Sequence, residues 1–339
     1  MRQPRSASTL ALLALLGGCS EYEVQDFGYV DVFNQNPAED VDILLVVDNS
    51  CSMQSYQTRL GQNFSQFISW FINANVNYQI AVTTTSLTTP NPDCTASDHA
   101  RIPAPGQFVD DVIITPDTPD AASVFNDIVN VGICGSANEM GLEAARLALS
   151  EPNLSGANAG FLRPEASLSL IFVRDEEDYS PLPVNEYING FFDVKGQRDR
   201  DIFNASALAI DSGTCPTFIE RGTRYIDVAQ QTSGVLGDLC AQDFENIVTE
   251  LSLNASRLRD HFFLTSEPDP SNLHVYVEER EIDCSEGIWW LERRLDASGE
   301  ERTAVVFDWQ SLPQPDERVS VRYEQGMWDE TTFCVAGGA

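Results

Sequence analysis

The sequence predicts an α/β protein: a doubly wound, mostly parallel sheet of Rossmann-like design, followed by a small C-terminal antiparallel β domain. Three observations predict it. Residues 43–47 (ILLVV) form an unbroken apolar run that stops at Asp48, the pattern of a central strand covered on both faces. Between residues 41 and 260, strand-like and amphipathic helical stretches alternate, as winding through βαβ units requires. Beyond Asp260 the period shortens to two, with residues 273–278 and 318–323 alternating apolar and polar.

In chain order, residues 1–19 read as a signal peptide. Arg2 and Arg5 precede a short apolar core at 10–16, and Leu16-Gly17-Gly18-Cys19 resembles a bacterial lipobox. That run is far shorter than the roughly 20 residues of a membrane span. The resemblance implies lipidation of Cys19 and a mature chain anchored to a membrane without crossing it. Ser20, rather than Asp, at the next position points to a cell-envelope, outer-membrane lipoprotein, periplasmic or surface-facing. Residues 20–40 read as an acidic tether.

After Asp48 a long helix is expected, because Met53, Tyr56, Leu60, Phe64, Phe67, Ile68 and Phe71 recur at helical spacing. Residues 77–85 follow as a β-branched strand, and 86–107 as a long loop rich in Thr, Pro and Asp. An edge strand at 108–115, interrupted by Asp110 and Asp111, precedes helices at 121–129 and 139–150 and a strand at 168–173. A helix at 184–194, a strand at 201–210, a helix at 225–232 and a short strand at 235–236 come next. Asp243 caps a last helix bearing Phe244, Ile247, Val248, Leu251, Ala255 and Leu258. Residues 261–339 form the small sandwich-like β domain, with further strands at 288–291 and 303–307. Trp289, Trp290 and Trp309 are read as its core, and a carbohydrate-binding platform is the alternative.

Composition narrows the partners. The 339 residues carry 52 acids against 20 bases, a formal charge of −32, with Lys195 the sole lysine. Such a surface repels nucleic acid, so no DNA or RNA partner is expected.

The chemistry-bearing stretch begins at Asp48-x-Ser50-x-Ser52. A carboxylate and two hydroxyls beyond the carboxyl end of a central strand lie where α/β sheets bind ligands, and they offer a hard cation three oxygens. Asp48 capping the next helix is the alternative. Together with Gly135-Ser136-Ala137-Asn138-Glu139-Met140-Gly141-Leu142 and the strand ending Val173-Arg174-Asp175, this triplet resembles the metal-ion-dependent adhesion site of the von Willebrand factor type A family. Ser136 stands where that family usually has Thr, and Gly141-Leu142 where it usually has Ala-Leu. The resemblance implies a cation, Mg²⁺ or else Ca²⁺ or Mn²⁺, held by Asp48, Ser50, Ser52, Ser136 and Asp175, and a partner protein that adds a carboxylate. Glu139 caps the following helix or orients the Ser136 hydroxyl. The acids at 176–178 are read as a solvated rim, with a second cation site as the alternative.

Eight cysteines in an exported chain predict disulfides. Setting Cys19 aside, Cys215–Cys240 and Cys284–Cys334 are the natural pairs. Cys134 has Cys94 or Cys51 within reach. Cys94–Cys134 is favoured, leaving Cys51 free. His99, His261 and His274 are too scattered for a zinc site.

Three functions compete: a metal-dependent binding module, a phosphatase-like metal hydrolase, and a structural envelope lipoprotein with a stabilising ion. Phosphatases that work with an Asp and Mg²⁺ at a strand end need a second carboxylate two residues on, where this chain has Ser50. It also lacks G-x-S-x-G, P-loop and H-E-x-x-H motifs. The binding module, without enzymatic activity, is therefore the expectation.

Overall fold

The computed structural model describes residues 28–35, 40–73, 76–88, 90–196, 203–210, 221–241, 245–295, 300–308, 311–314 and 317–328. Strand β1 (Tyr29–Asn34) precedes β2 (Asp40–Val47), α1 (Gln54–Asn73), β3 (Asn77–Thr84), α2 (Ala96–His99), α3 (Ala121–Val129), α4 (Gly141–Ala148) and β4 (Ser167–Val173). Next come α5 (Val184–Val194), β5 (Phe203–Ala209), α6 (Thr223–Gln231), β6 (Leu236–Asp238) and α7 (Glu245–Ser256). The C-terminal strands are β7 (His261–Phe263), β8 (His274–Val277), β9 (Arg280–Ile282), β10 (Trp289–Leu295), β11 (Glu301–Phe307) and β12 (Arg318–Tyr323).

The five-stranded sheet runs β3-β2-β4-β5-β6, all neighbours parallel. The α/β class read from the alternation is thus the architecture found. Apolar residues fill both faces of β2 for a simple reason. Ile43, Leu45 and Val47 join one buried cluster with α1, α3 and α7, while Leu44 and Val46 join another with α4, α5 and α6. The order of winding reverses between β2 and β4, because β3 lies to one side of β2 and every later strand to the other. A crevice opens at such a switch point beyond the carboxyl ends of the strands, and Asp48 and Asp175 stand on either side of it.

The α1 stripe packs as its spacing requires: Met53, Tyr56, Leu60, Phe67, Ile68 and Phe71 are buried, and nothing is described of the Phe64 side chain. Asp243, Phe244 and Trp309 fall outside the described residues.

Three sequence expectations need correction. Residues 108–115 do not form an edge strand. Asp110 and Asp111 both adopt positive φ of 54°, a left-handed conformation that Asp tolerates better than most residues, and the chain makes a tight turn there. Only Ile114 reaches the sheet, by a single bridge to Ile80.

The stretch 20–40 is not all tether. Tyr29–Asn34 (YVDVFN) alternates in burial and pairs antiparallel with β12. The β region is accordingly not a contiguous 261–339 unit. One sheet runs β1-β12-β8-β9 and the other β10-β11-β7. Their buried residues, Phe262, Val275, Val305, Val319 and Val321, belong to the same apolar cluster as Leu251, Ala255 and Leu258 at the α7 end.

Trp289 is buried there with its Nε1 donating to Ile282 O at 2.8 Å, but Trp290 is only half-buried. No described helix is long and apolar enough to cross a membrane. Cys19 and the rest of the 1–19 segment lie outside the described residues.

The long loop after β3 is organised locally. Thr95 and Asp98 form a reciprocal capping box on α2, and the Cys94–Cys134 disulfide, Cα–Cα 5.9 Å, ties the loop to the Ser136 segment. Asn91 N–H adds bonds to the carbonyls of Cys134 and Gly135. Cys51 is free and exposed. Cys240 and Cys284 are also disulfide-bonded, and Cys215 and Cys334 lie outside the described residues.

Candidate functional site

The end of β2 delivers the first ligand candidate. Asp48 N–H donates to Val173 O at 2.9 Å, which keeps β2 and β4 joined to the last residue and fixes where the Asp48 side chain leaves the sheet. Its Oδ1 accepts the Ser50 N–H at 2.7 Å, closing a small turn that aims both serines back at the strand end. Ser50 Oγ and Ser52 Oγ lie 2.9 Å apart, and Ser52 Oγ donates to Asp175 Oδ1 at 3.1 Å. Four of the five expected ligands are therefore joined in one hydrogen-bonded chain.

Ser136, the fifth, lines the same cavity of about 680 Å³ as Ser50 and Ser52. Its hydroxyl is engaged within its own loop: it lies 2.6 Å from Thr88 Oγ1 and accepts the Asn138 N–H at 3.0 Å. Its backbone N–H donates to Ser86 Oγ at 2.8 Å.

Glycine is required twice here by close approach. A Cβ on Gly135 would sit 2.1 Å from Oδ1 of the buried Asn49, and one on Gly141 would sit 2.2 Å from Tyr225 Oη. The second contact explains Gly141 physically: Tyr225 Oη accepts the Gly141 N–H at 2.9 Å, and there is no room for alanine.

Glu139 has neither of its expected roles. Its side chain is fully buried, lies against Asp48 and Ser50, and faces the guanidinium of Arg174 at 3.9 Å. Arg174 is itself buried and stacks 4.4 Å over the Tyr225 ring. Burial, then the adjoining Asp48 carboxylate, push the Glu139 carboxyl far above its usual range. Burial first, with Asp48 second, raises Asp175 to about 7. Asp48 thus has an acid on each side. Sequence carried a signal for Glu139 only in its place next to the Ser136 loop.

The acids at 176–178 divide in function, which corrects both readings of them as a solvated rim or a second cation site. Glu176 lines the cavity. Glu177 accepts the N–H groups of Thr223 and Arg224 at 2.9 and 3.1 Å and so caps α6. Asp178 is buried and accepts bonds from Leu142 N–H, Ser180, Arg224 Nε and Tyr225 Oη. The histidines are apart, His99 donating to Asn91 O, His261 paired with Asp260 and His274 with Glu281.

The residues present fit a hard cation. Asp48 Oδ2 and Asp175 Oδ2 are buried and accept no hydrogen bond from an N–H or hydroxyl group, and buried carboxylate oxygens without a partner are costly. The donors are carboxylate and hydroxyl oxygens, the set that suits Mg²⁺, Ca²⁺ or Mn²⁺. They are not drawn into a single knot. Among the described residues the one compact group of acids and thiols is Cys94, Asp98 and Cys134, whose sulfurs are closed in the disulfide.

A pH test follows. A carboxyl raised in the folded state favours folding when protonated. Without cation, stability should therefore be lost as pH rises through about 7, where Asp175 ionises, and gained as pH falls from there towards the unfolded value near 3.8. A divalent cation should reverse the trend and raise Tm most at alkaline pH. Thermal melts in EDTA and in excess cation across this range check both signs.

No protein-family model matches the chain, and no curated protein matches it significantly. Among solved structures it is similar to proximal thread matrix protein 1 from the mussel byssus, with 13% identity and TM-score 0.41 over 68% of this chain and 51% of that one. Another structure of that protein, with a zinc-occupied MIDAS motif, gives 13% and 0.40 over 69% and 51%. The pilus adhesin SpaC from Lactobacillus rhamnosus GG, in an open conformation, gives 12% and 0.43 over 86% and 39%. The chain spans about half the length of the mussel protein and less of the adhesin. These likenesses are slight, and the function rests on the side chains described above.

Proposed function

We propose that this chain is a metal-dependent protein-binding module of the bacterial cell envelope. Asp48, Ser50, Ser52 and Asp175, with the Ser136 loop, hold a divalent cation that bridges to a carboxylate of a partner protein. The observation that carries this reading is the pair of buried oxygens, Asp48 Oδ2 and Asp175 Oδ2, that accept no hydrogen bond beside a cavity lined by Ser50, Ser52 and Ser136. When bound, the cation would supply a Lewis-acidic position for an external oxygen. The protein's part is to fix the carboxylates at the ends of β2 and β4 and to shape the cavity wall with the disulfide-pinned loop. The lipobox resemblance supports anchoring through lipidated Cys19, with outer-membrane placement inferred from Ser20.

Capture of envelope proteins by the immobilised chain, with and without EDTA, tests the proposal. Capture in Mg²⁺ or Ca²⁺ that EDTA removes, and that a carboxylate-blocked extract does not restore, is the expected result. Capture indifferent to EDTA would sink it. Phosphatase or protease turnover by the purified protein would put a hydrolase in its place.

A further inference from the structure

We propose that the outward face of the β1-β12-β8-β9 sheet docks on anionic lipid headgroups, so that the cation site is presented away from the bilayer. This rests on the lipid-anchored reading above and adds a second membrane contact to it.

Strand register defines the face. Val30 stands opposite Arg322, Val32 opposite Ser320 and Asn34 opposite Arg318, while Arg322 and Ser320 stand opposite His274 and Tyr276 on the other side. Residues directly opposite in an antiparallel pair share one face of the sheet. The alternate residues of β1 point inward: Asp31 accepts bonds from Thr265 and Tyr323, and Phe33 packs against Phe262. Val30 and Val32 are each 54% exposed. Edge strands are usually blunted with charge, so two open valines on one call for a cover.

The charge on this face is opposite in sign to that of the chain. The whole protein stands at −32, yet Arg318 and Arg322 lie here, and neither guanidinium is ion-paired among the described residues. Arg322 stacks 4.6 Å over the Tyr276 ring, and Glu281, opposite Tyr276, is taken up by His274. Open valines, a tyrosine and arginines with apolar stems make up the composition of a surface that lies in the headgroup region. At physiological ionic strength charge is screened within about 8 Å, so acids elsewhere on the molecule do little to a surface that this face touches.

Connectivity puts the face on the membrane side. Tyr29 follows Cys19 by ten residues, a reach of at most about 35 Å. β1 then leads to Asp40 at the entry end of β2, whereas Asp48 leaves its exit end eight residues later, about 26 Å away. Helices between parallel strands run back against them, so α7 also delivers the chain to β7 at the entry end. The β region and the cation site therefore occupy opposite ends of the parallel sheet.

Flotation of the chain from residue 20, which holds every described element, with phosphatidylcholine vesicles containing about one-third phosphatidylglycerol tests this. Wild type should float with them at low salt, be released by high salt, and stay behind with pure phosphatidylcholine. Arg318→Gln with Arg322→Gln should lower partitioning about 25-fold, about 5-fold for each charge. Val32→Asp should lower it too. Ile72→Asp, on α1 at a position 56% exposed, adds the same charge away from the face and should change partitioning less than about 2-fold.

Melts confirm that each variant is folded, and the arginine pair, being on the surface, decides even if Val32→Asp is not. Wild type that does not float, or floats as well without the two arginines, overturns the proposal. So does an Ile72→Asp effect as large as that of Val32→Asp. Capture of polyglutamate with no vesicle binding would assign the face to an acidic protein instead. Labelling of the full chain with radioactive palmitate, lost in Cys19→Ala, tests the anchor separately: without label the anchored reading falls, while flotation still decides the face.

Discussion

Asp48→Ala should reduce cation-dependent partner capture by at least about 100-fold while leaving a folded protein that melts no lower than wild type in EDTA. The two effects share one cause. Asp48 sits between Glu139 and Asp175, and its charge raises the pKa of both neighbours. In the ion-free protein it therefore opposes ionisation of both neighbours within a buried region, and its Oδ2 accepts no hydrogen bond from an N–H or hydroxyl group there. Truncation removes that opposition together with a ligand oxygen, and gives up the Ser50 N–H bond to Oδ1 in exchange. The methyl group left behind still fits next to the Val47 end of β2, where the Asp48 N–H bond to Val173 O is a backbone contact that the variant keeps. Asp175→Ala should behave in the same direction. Capture assays and melts on the same preparations check both halves. Undiminished capture by Asp48→Ala would mean that the cation, if bound, is not what the partner recognises.

Asp178→Ala, close by in the chain, should do the reverse and cost about 3–5 kcal/mol of folding stability, the range for removing one partner of a buried charged network. Asp178 is acceptor to four donors, drawn from α4, α6 and its own loop. It takes the Leu142 N–H at the start of α4 at 3.2 Å, Ser180 Oγ at 2.8 Å, Arg224 Nε of α6 at 3.0 Å and Tyr225 Oη at 2.8 Å. The buried Tyr225 hydroxyl is in turn acceptor to Gly141 N–H. Without the carboxylate, the N-terminus of α4, the guanidinium of Arg224 and the Tyr225 hydroxyl each lose a partner, and the latter is buried too deeply for water to replace it. Asp178→Asn keeps the shape and part of the bonding, so it should lose less. The midpoints of urea unfolding, compared at equal slope, give the difference. A cost below about 1 kcal/mol for the alanine variant would show that the network is dispensable.

The contrast between these two substitutions marks how far the sequence could be read. The β2 run was legible because a strand buried on both faces has no polar residue to spare, and 43–47 contains none. The α1 stripe was legible because its spacing matches the helix. The Cys94–Cys134 bond was within reach because both residues flank loops that meet at the strand ends. Strand β1 was missed because a short alternating segment inside an acidic stretch carries little signal until β12 is there to pair with it. The 108–115 turn was missed because two adjacent aspartates in left-handed conformation look, in one dimension, like an interrupted edge strand.

What the sequence determined by itself is the class of the fold and the chemical type of the site: alternating apolar periods force a layered α/β sheet, and oxygen-bearing side chains at the carboxyl ends of β2 and β4 suit a hard cation. What the tertiary structure alone decided is the role of each acid. Asp175, Glu176, Glu177 and Asp178 are consecutive carboxylates with nearly the same intrinsic chemistry, yet they become a candidate ligand, a cavity wall, a helix cap and a buried network hub. The physical reason is that a carboxylate's energy is set by what replaces its lost water, whether an N–H, a guanidinium, another carboxylate or an open cavity. Those neighbours come from α4, α6 and the Ser136 loop, which only folding brings to the same place.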